Sequence, residues 1–228
     1  MAMLFNEQAV ISQEQAKWLK LRGWGYRLLV DFLGRPPRMS LIAQWHRQVE
    51  LNNTVPMSKG GRRLINYLES IPENEIRRVC YNEVEEFERL FMGPAAKVPT
   101  CESLYRSREE GIEASECALD IRTFYMESSI AFNKLNGERD DHIALELEYM
   151  AVMSEEMLDK LNLRESLLEG LDLQIRFLEA HLLKWTEGFT SRLIAATTSP
   201  LYIGLAEMMN EFLNEDLHRL QAWRAQLQ

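Results

Sequence analysis

An apolar period of about 3.6 residues, repeated almost from end to end, constrains this chain more than any other feature. It is clearest at Ile76, Val79, Cys80, Val84, Phe87, Leu90 and Phe91, which fall on one helical stripe. A strand alternates every second residue and would scatter these side chains over both faces. The same period recurs around Trp18–Phe32, Leu41–Val49, Leu64–Leu68 and Cys117–Phe132. It returns at Ile143–Leu161, Leu167–Trp185, Phe189–Ile194 and Leu205–Trp223.

Helix punctuation separates these segments. Ser12 and Gln15 form a capping box, and Gly34 with Pro36-Pro37 stops the helix behind it. Ser40 is expected to cap the second helix, and Pro72 to close the third. Gly93-Pro94 ends the fourth, after which the stretch to about Gly111 reads as loop. Ser199-Pro200 supplies an N-cap followed by proline at the first helical position. No alternating pattern and no internal repeat interrupts this reading. The expected fold is all-α, about nine to ten helices. An N-terminal part, 1–134, and a C-terminal part, 142–228, are expected to meet at a hinge, 135–141, within one structural unit.

Composition narrows the function. With 228 residues and 46% hydrophobic content the chain is long enough for its own core. The net charge of −9 lacks the electrostatic footprint of a nucleic-acid binder and favours a basic partner. No apolar run nears the ~20 residues that a membrane helix needs. The start, MAMLFNEQAVISQEQ, has no basic segment followed by an apolar one, so a cytoplasmic location is expected. Cys80, Cys101 and Cys117 form no CxxC pair and read as reduced thiols.

Most catalytic chemistries find no support. His46, His142, His181 and His218 do not stand at metal-ligand spacing from one another or from a cysteine, so no metal and no cofactor is expected. There is no GxSxG elbow. Ser58-Lys59-Gly60-Gly61-Arg62-Arg63 has glycines and cations without the phosphate-loop order; a polar turn opening a helix is the favoured reading. A small helical nucleotide-binding enzyme acting through Lys59 stays as a remote alternative.

Two constellations stand out. One runs Glu86-Phe87-Glu88-Arg89-Leu90-Phe91-Met92-Gly93-Pro94, then through Pro99 to Ser103-Leu104-Tyr105. The other is Asp140-Asp141-His142-Ile143-Ala144-Leu145-Glu146-Leu147-Glu148-Tyr149-Met150. Paired aspartates before a helix suit capping and the helix dipole, and they also suit a cationic partner.

Together these blocks resemble the TorD/DmsD family of chaperones for molybdoenzymes. The family pattern E-x-x-R-L-F-x-G-P, a proline, S-x-Y and a D-H-x-x-x-E-L block is met in order. Phe177-Leu178-Glu179-Ala180-His181-Leu182-Leu183-Lys184-Trp185 is similar to the family's F-L-x-x-H-L-x-x-W helix, and Leu201-Tyr202 to its last-helix start. The likeness spans roughly residues 76–215.

The resemblance implies an all-helical chaperone without catalysis. Its partners would be the apo catalytic subunit of a molybdopterin oxidoreductase and that subunit's twin-arginine leader. Some family members exchange halves, so a domain-exchanged homodimer is possible. Carried over, the leader-binding surface comprises Asp141 and His142, with Asp140 and Glu146 beside them. It also includes Leu90, Phe91, Gly93, Pro94, Pro99, Ser103 and Tyr105. Asp141 would meet a client arginine, and Asp141→Ala is expected to weaken binding without unfolding the chain. His181 and Trp185 read as packing. A nitrate-reductase-type assembly chaperone, serving an enzyme that is not exported, is the alternative.

Two departures stand out. The Pro-Trp pair common in the family is replaced around Pro99-Thr100-Cys101, and Ser128-Ser129 stand where a glycine is usual.

Overall fold

The computed structural model describes residues 11–52, 59–132, 137–159 and 164–227. It is all-α: among the described residues there is no strand, only an isolated antiparallel bridge between Cys101 and His142. In chain order the helices are α1 (Gln13–Leu33), α2 (Met39–Asn52), α3 (Lys59–Ser70) and α4 (Ile76–Phe91). There follow α5 (Glu102–Glu109), α6 (Ala114–Glu127), α7 (Ile143–Asp159), α8 (Arg164–Phe177), α9 (Leu183–Ala196) and α10 (Pro200–Gln226).

The punctuation acts largely as the sequence suggests. The Ser12 hydroxyl accepts from the Gln15 amide at 3.1 Å, and the Gln15 side chain accepts the Ser12 amide at 2.8 Å. The Ser199 hydroxyl accepts from the Leu201 amide with Pro200 at the first turn. Gly93 ends α4 with φ of +75°, a backbone shape that side chains rarely adopt. The second helix differs slightly. It begins at Met39, and the Arg38 carbonyl takes the first amides, so Ser40 lies inside it.

The stretch between Gly93 and Gly111 is a correction. It contains α5, which an apolar period cannot reveal because charge organises it. Arg106 pairs with Glu102 and Glu110 at i−4 and i+4. A second correction concerns the helices after Arg164. The helix does not end near Trp185: α8 passes through a π turn, Leu178–Leu182, directly into α9. Leu161, Ser58 and the first two positions of the expected hinge, 135–136, lie outside the described residues.

Helices from both sides of 135–141 share one core. α1 packs along α7, and α3 along α10, which also touches α8 and α9. The α3–α10 crossing accounts for Gly60, one of the glycines in the phosphate-loop-like stretch. A Cβ on Gly60 would sit 2.4 Å from the Met208 amide nitrogen, so only glycine fits there. The Gly60 amide donates to the Glu211 carboxylate at 3.0 Å, and Arg63 pairs with Glu207. The first turn of α3 thus faces carboxylates of α10.

α6 ends in a Schellman motif: the Ser129 amide donates to the Met126 carbonyl and the Ile130 amide to the Tyr125 carbonyl. Ser129 takes φ of +56°, the left-handed shape that glycine occupies without penalty. The departure from the family's glycine therefore leaves the turn intact and adds strain to it. Ser129→Gly is expected to raise stability by about 1 kcal/mol in urea unfolding, the left-handed penalty net of glycine's extra chain entropy.

Candidate functional site

The two sequence blocks meet where α5 and α7 begin. The Glu102 amide donates to the Asp141 carbonyl at 2.9 Å, and the Ile143 amide to the Thr100 carbonyl at 2.8 Å. This short bridge sets the α4–α5 loop beside the segment before α7. Asp141 completes it with its side chain. The carboxylate accepts from Arg139 Nε at 2.8 Å and Nη2 at 3.1 Å, and from the Ser103 amide at 3.1 Å. Arg139 Nη2 also donates to Ser103 Oγ at 2.8 Å. Burial alone would push the Asp141 carboxyl up, but the bonds from Arg139 and Ser103 outweigh it and hold it below the usual range.

The remaining candidates divide by exposure. Asp140 is buried; its carboxylate accepts from Arg122 Nη2 at 2.7 Å and its carbonyl from the Tyr125 hydroxyl at 3.0 Å. Leu90 is core. Phe91 is half-buried against Phe87, Phe189 and Tyr202. Tyr105 is buried against Trp185 and donates to the Pro99 carbonyl at 3.0 Å, which folds the loop back on α5. Gly93 and Pro94 are exposed; Pro99 and His142 are half-exposed. His142 Nδ1 accepts from the Ala144 amide at 3.2 Å, and burial lowers the ring's pKa. Exposed Met92 on the α4–α5 loop, Leu104 on α5 and Ile194 on α9 add apolar surface.

The E-x-x-R element is a clamp of the fold. Glu86 takes both Nε and Nη2 of Arg89 at 2.7 Å and the hydroxyl of Thr197, while Arg89 donates to the Ala196 carbonyl at 2.6 Å. These bonds tie the end of α4 to the turn between α9 and α10.

Glu146 lies deeper, at 0% exposure. Its Oε2 accepts from Trp185 Nε1 at 3.1 Å, and Oε1 has no hydrogen-bond partner. Burial, then the charge of Glu102, pushes its pKa well above the carboxylate range; the Trp185 bond offsets this only in part. The fold therefore favours the protonated carboxyl more than the open chain does. The native state therefore binds the extra proton, and stability falls as pH rises from about 4.3 towards the folded value. Glu146→Gln is expected to remove that decline. The variant should match wild type near pH 4 and exceed it by about 1 kcal/mol or more at pH 8, read by urea midpoints.

Sequence reading did not single out a neighbouring charge cluster. Glu102 is fully buried and contacts Arg106 at 2.7 Å and His181 Nδ1 at 3.0 Å. Arg106 reaches on to Glu110 and the Ala180 carbonyl. His181 sits in the π turn, an element frequent at functional sites. Its burial, and that of Trp185, agrees with the packing role expected of both. The available signals were the i, i+4, i+8 charges from Glu102 to Glu110 and the arginine two residues before Asp141.

Among the described residues no group of three or more His, Cys, Asp or Glu side chains could hold a metal. No helix among them is long and apolar enough to cross a membrane. Burial raises the thiol pKa of all three cysteines, that of Cys101 to about 12, so none is poised as a nucleophile.

The family model for the nitrate reductase delta subunit matches residues 59–191, more than half the chain and both motif blocks. The chain belongs to this family. Delta-subunit relatives include the TorD-like chaperones, so the resemblance read from the motifs holds, and these proteins are non-enzymatic. A protein of Haemophilus influenzae named as a probable Tat proofreading chaperone DmsD is 30% identical over 141 residues. That alignment covers 60% of this chain and 63% of the relative, so the chain spans less than two thirds of the relative's length.

Proposed function

We propose that this protein is a cytoplasmic maturation chaperone for the catalytic subunit of a molybdopterin oxidoreductase, holding its twin-arginine leader until cofactor is inserted. The family match over residues 59–191 carries this reading, because it encloses the whole α4–α5 loop and the start of α7. The name of the Haemophilus influenzae relative supports the leader and the proofreading. The physics is compatible: a chain of net charge −9 suits a basic peptide, and half-exposed apolar side chains around the α4–α5 loop suit its apolar run. On this reading Phe91, Gly93, Pro94, Pro99 and His142 touch the client. Leu90, Ser103, Tyr105, Asp140, Asp141 and Glu146 shape the surface from beneath.

A second reading has one specific observation in its favour, the name of the matching family. A nitrate-reductase-type chaperone would serve a subunit that carries no export leader. A tagged pull-down from the native host, grown anaerobically and read by mass spectrometry, separates the two. A molybdoenzyme catalytic subunit with its leader attached is the expected result. The same class of subunit without a leader favours the second reading, and no oxidoreductase at all removes both. The segment 135–141 is where an exchange of halves would open, and light scattering on the purified protein distinguishes monomer from dimer.

A further inference from the structure

α6 is committed to the core on one side only. Phe124 and Tyr125 pack on Phe177, and Cys117 and Ile121 are buried. On the outer side Leu119 is 63% exposed and Met126 72%, the two most open of the large apolar side chains among the described residues. A lone exposed leucine is ordinary on a protein surface. Here the spacing is what differs.

The two form a seam. Leu119 and Met126 stand seven residues apart with Thr123 between them, and Ile112 lies seven before Leu119 at the entry to α6. Positions i, i+4 and i+7 share one helical face, the spacing by which one helix receives another lengthwise. Beside this stripe α5 and α6 enclose a cleft of about 410 Å³, lined by Ile112, Cys117, Leu119 and Thr123 on the α6 side and by Arg106 of α5. It has room for a large apolar side chain from a partner.

Charge decides what kind of helix fits. By the helical period Glu116, Asp120 and Glu127 follow one another along one flank of the stripe. Between Glu109 and Glu127 the chain carries six carboxylates against one arginine, Arg122, which lies on the opposite flank. A second copy of this chain would bring a net charge of −9 against the same carboxylates. A segment that is apolar all round would match the stripe and leave the acidic flank unanswered. An amphipathic helix with Lys or Arg beside its apolar positions is complementary on both counts.

Arg122 also fixes where this face lies. Its guanidinium donates to the Asp140 carboxylate at 2.7 Å, which ties α6 to the segment before α7 that carries His142. The stripe therefore borders the candidate client surface without sharing its residues.

We propose that the outer face of α6 is a second client contact. It takes an amphipathic, basic helix from the catalytic subunit's own folded part, with Leu119 and Met126 in the seam and Glu116 and Asp120 beside the helix's cations. The proposal rests on the chaperone reading for the identity of the client, and not on the leader.

The test uses the full chain and two probes, with binding read by calorimetry. One is the catalytic subunit that co-purifies with the chain, expressed without any leader. The other is a synthetic peptide of paired arginines followed by an apolar run. Leu119→Ser with Met126→Ser is expected to keep the wild-type urea midpoint and to weaken the leaderless subunit about tenfold or more. The peptide should be unaffected. Glu116→Gln with Asp120→Asn should weaken the subunit at low salt and by less at high salt, where the charges are screened. Unchanged subunit affinity in the serine variant overturns the proposal. Equal loss of the peptide also overturns it, because the face then belongs to the leader site. A wild-type dimer in light scattering that the serine variant abolishes does so too, because a second copy is then the occupant. A wild type that binds the subunit through α6 and ignores the peptide supports the proposal and overturns the leader reading. One that binds the peptide and not the leaderless subunit does the reverse.

Discussion

Asp216→Ala is expected to lower stability by about 3–5 kcal/mol, the range found when one partner of a buried ion pair is removed. Asp216 of α10 accepts from Arg22 Nε of α1 at 2.5 Å and from the Tyr26 hydroxyl at 2.6 Å. Arg22 also reaches Ser154 on α7 and Gln174 on α8, the latter at 2.6 Å. Arg22 and Asp216 are both fully buried at the side chain, so the variant leaves a cation in the core without its counter-charge. Burial opposes the charge on Arg22, and Asp216 with Tyr26 more than restores it. Four helices meet at this one guanidinium, so the loss should appear as a lower urea midpoint for the whole fold rather than local fraying. Replacing both partners by apolar residues, Arg22→Met with Asp216→Leu, should be less damaging than Asp216→Ala, because no charge is then stranded. A double variant less stable than the single one would contradict this account.

Asp141→Ala should cost about 2–3 kcal/mol, from the charge-assisted bonds to Arg139 and the orphaned Ser103 amide. The sequence reading separated client binding from stability at this residue, and the geometry joins them. Asp141 staples the start of α5 to the start of α7, so its loss loosens the loop that carries Pro99 and the first turn of α5 that carries Ser103 and Tyr105. The acid profile gives a second check. The Asp141 pKa is held below its unfolded value near 3.9, so its contribution is complete above that pH. The contribution fades as pH falls through the lower folded value. Wild type should therefore lose stability below about pH 4 more steeply than Asp141→Ala. Arg139→Ala, which removes a half-exposed partner, should cost about 1 kcal/mol.

The candidate site was legible in the sequence as two blocks and a partner class, and less so as a surface. Local motifs place Gly93-Pro94 at a helix end and Asp141-His142 at a helix start, because capping and backbone sterics act over a few residues. They do not say which carboxylates are already paired. Asp140 and Asp141 read as an open acidic pair, yet Arg122 and Arg139 occupy them. Glu102 and Glu146 likewise carry no sequence mark of burial, since charged residues are normally placed outside.

The sequence by itself determined the all-α class, most helix ends and the membership of a chaperone family. Each of these depends on the period of apolar residues, on caps, or on ordered short motifs, which are properties of neighbours in the chain. Only the tertiary structure decided that α8 and α9 are one rod broken by a π turn, and that Gly60 is a contact against α10 rather than a phosphate loop. It also decided which buried charges are paired. These outcomes depend on the approach of backbones and on the dielectric around each group, quantities fixed by segments far apart in sequence and set only when the helices pack.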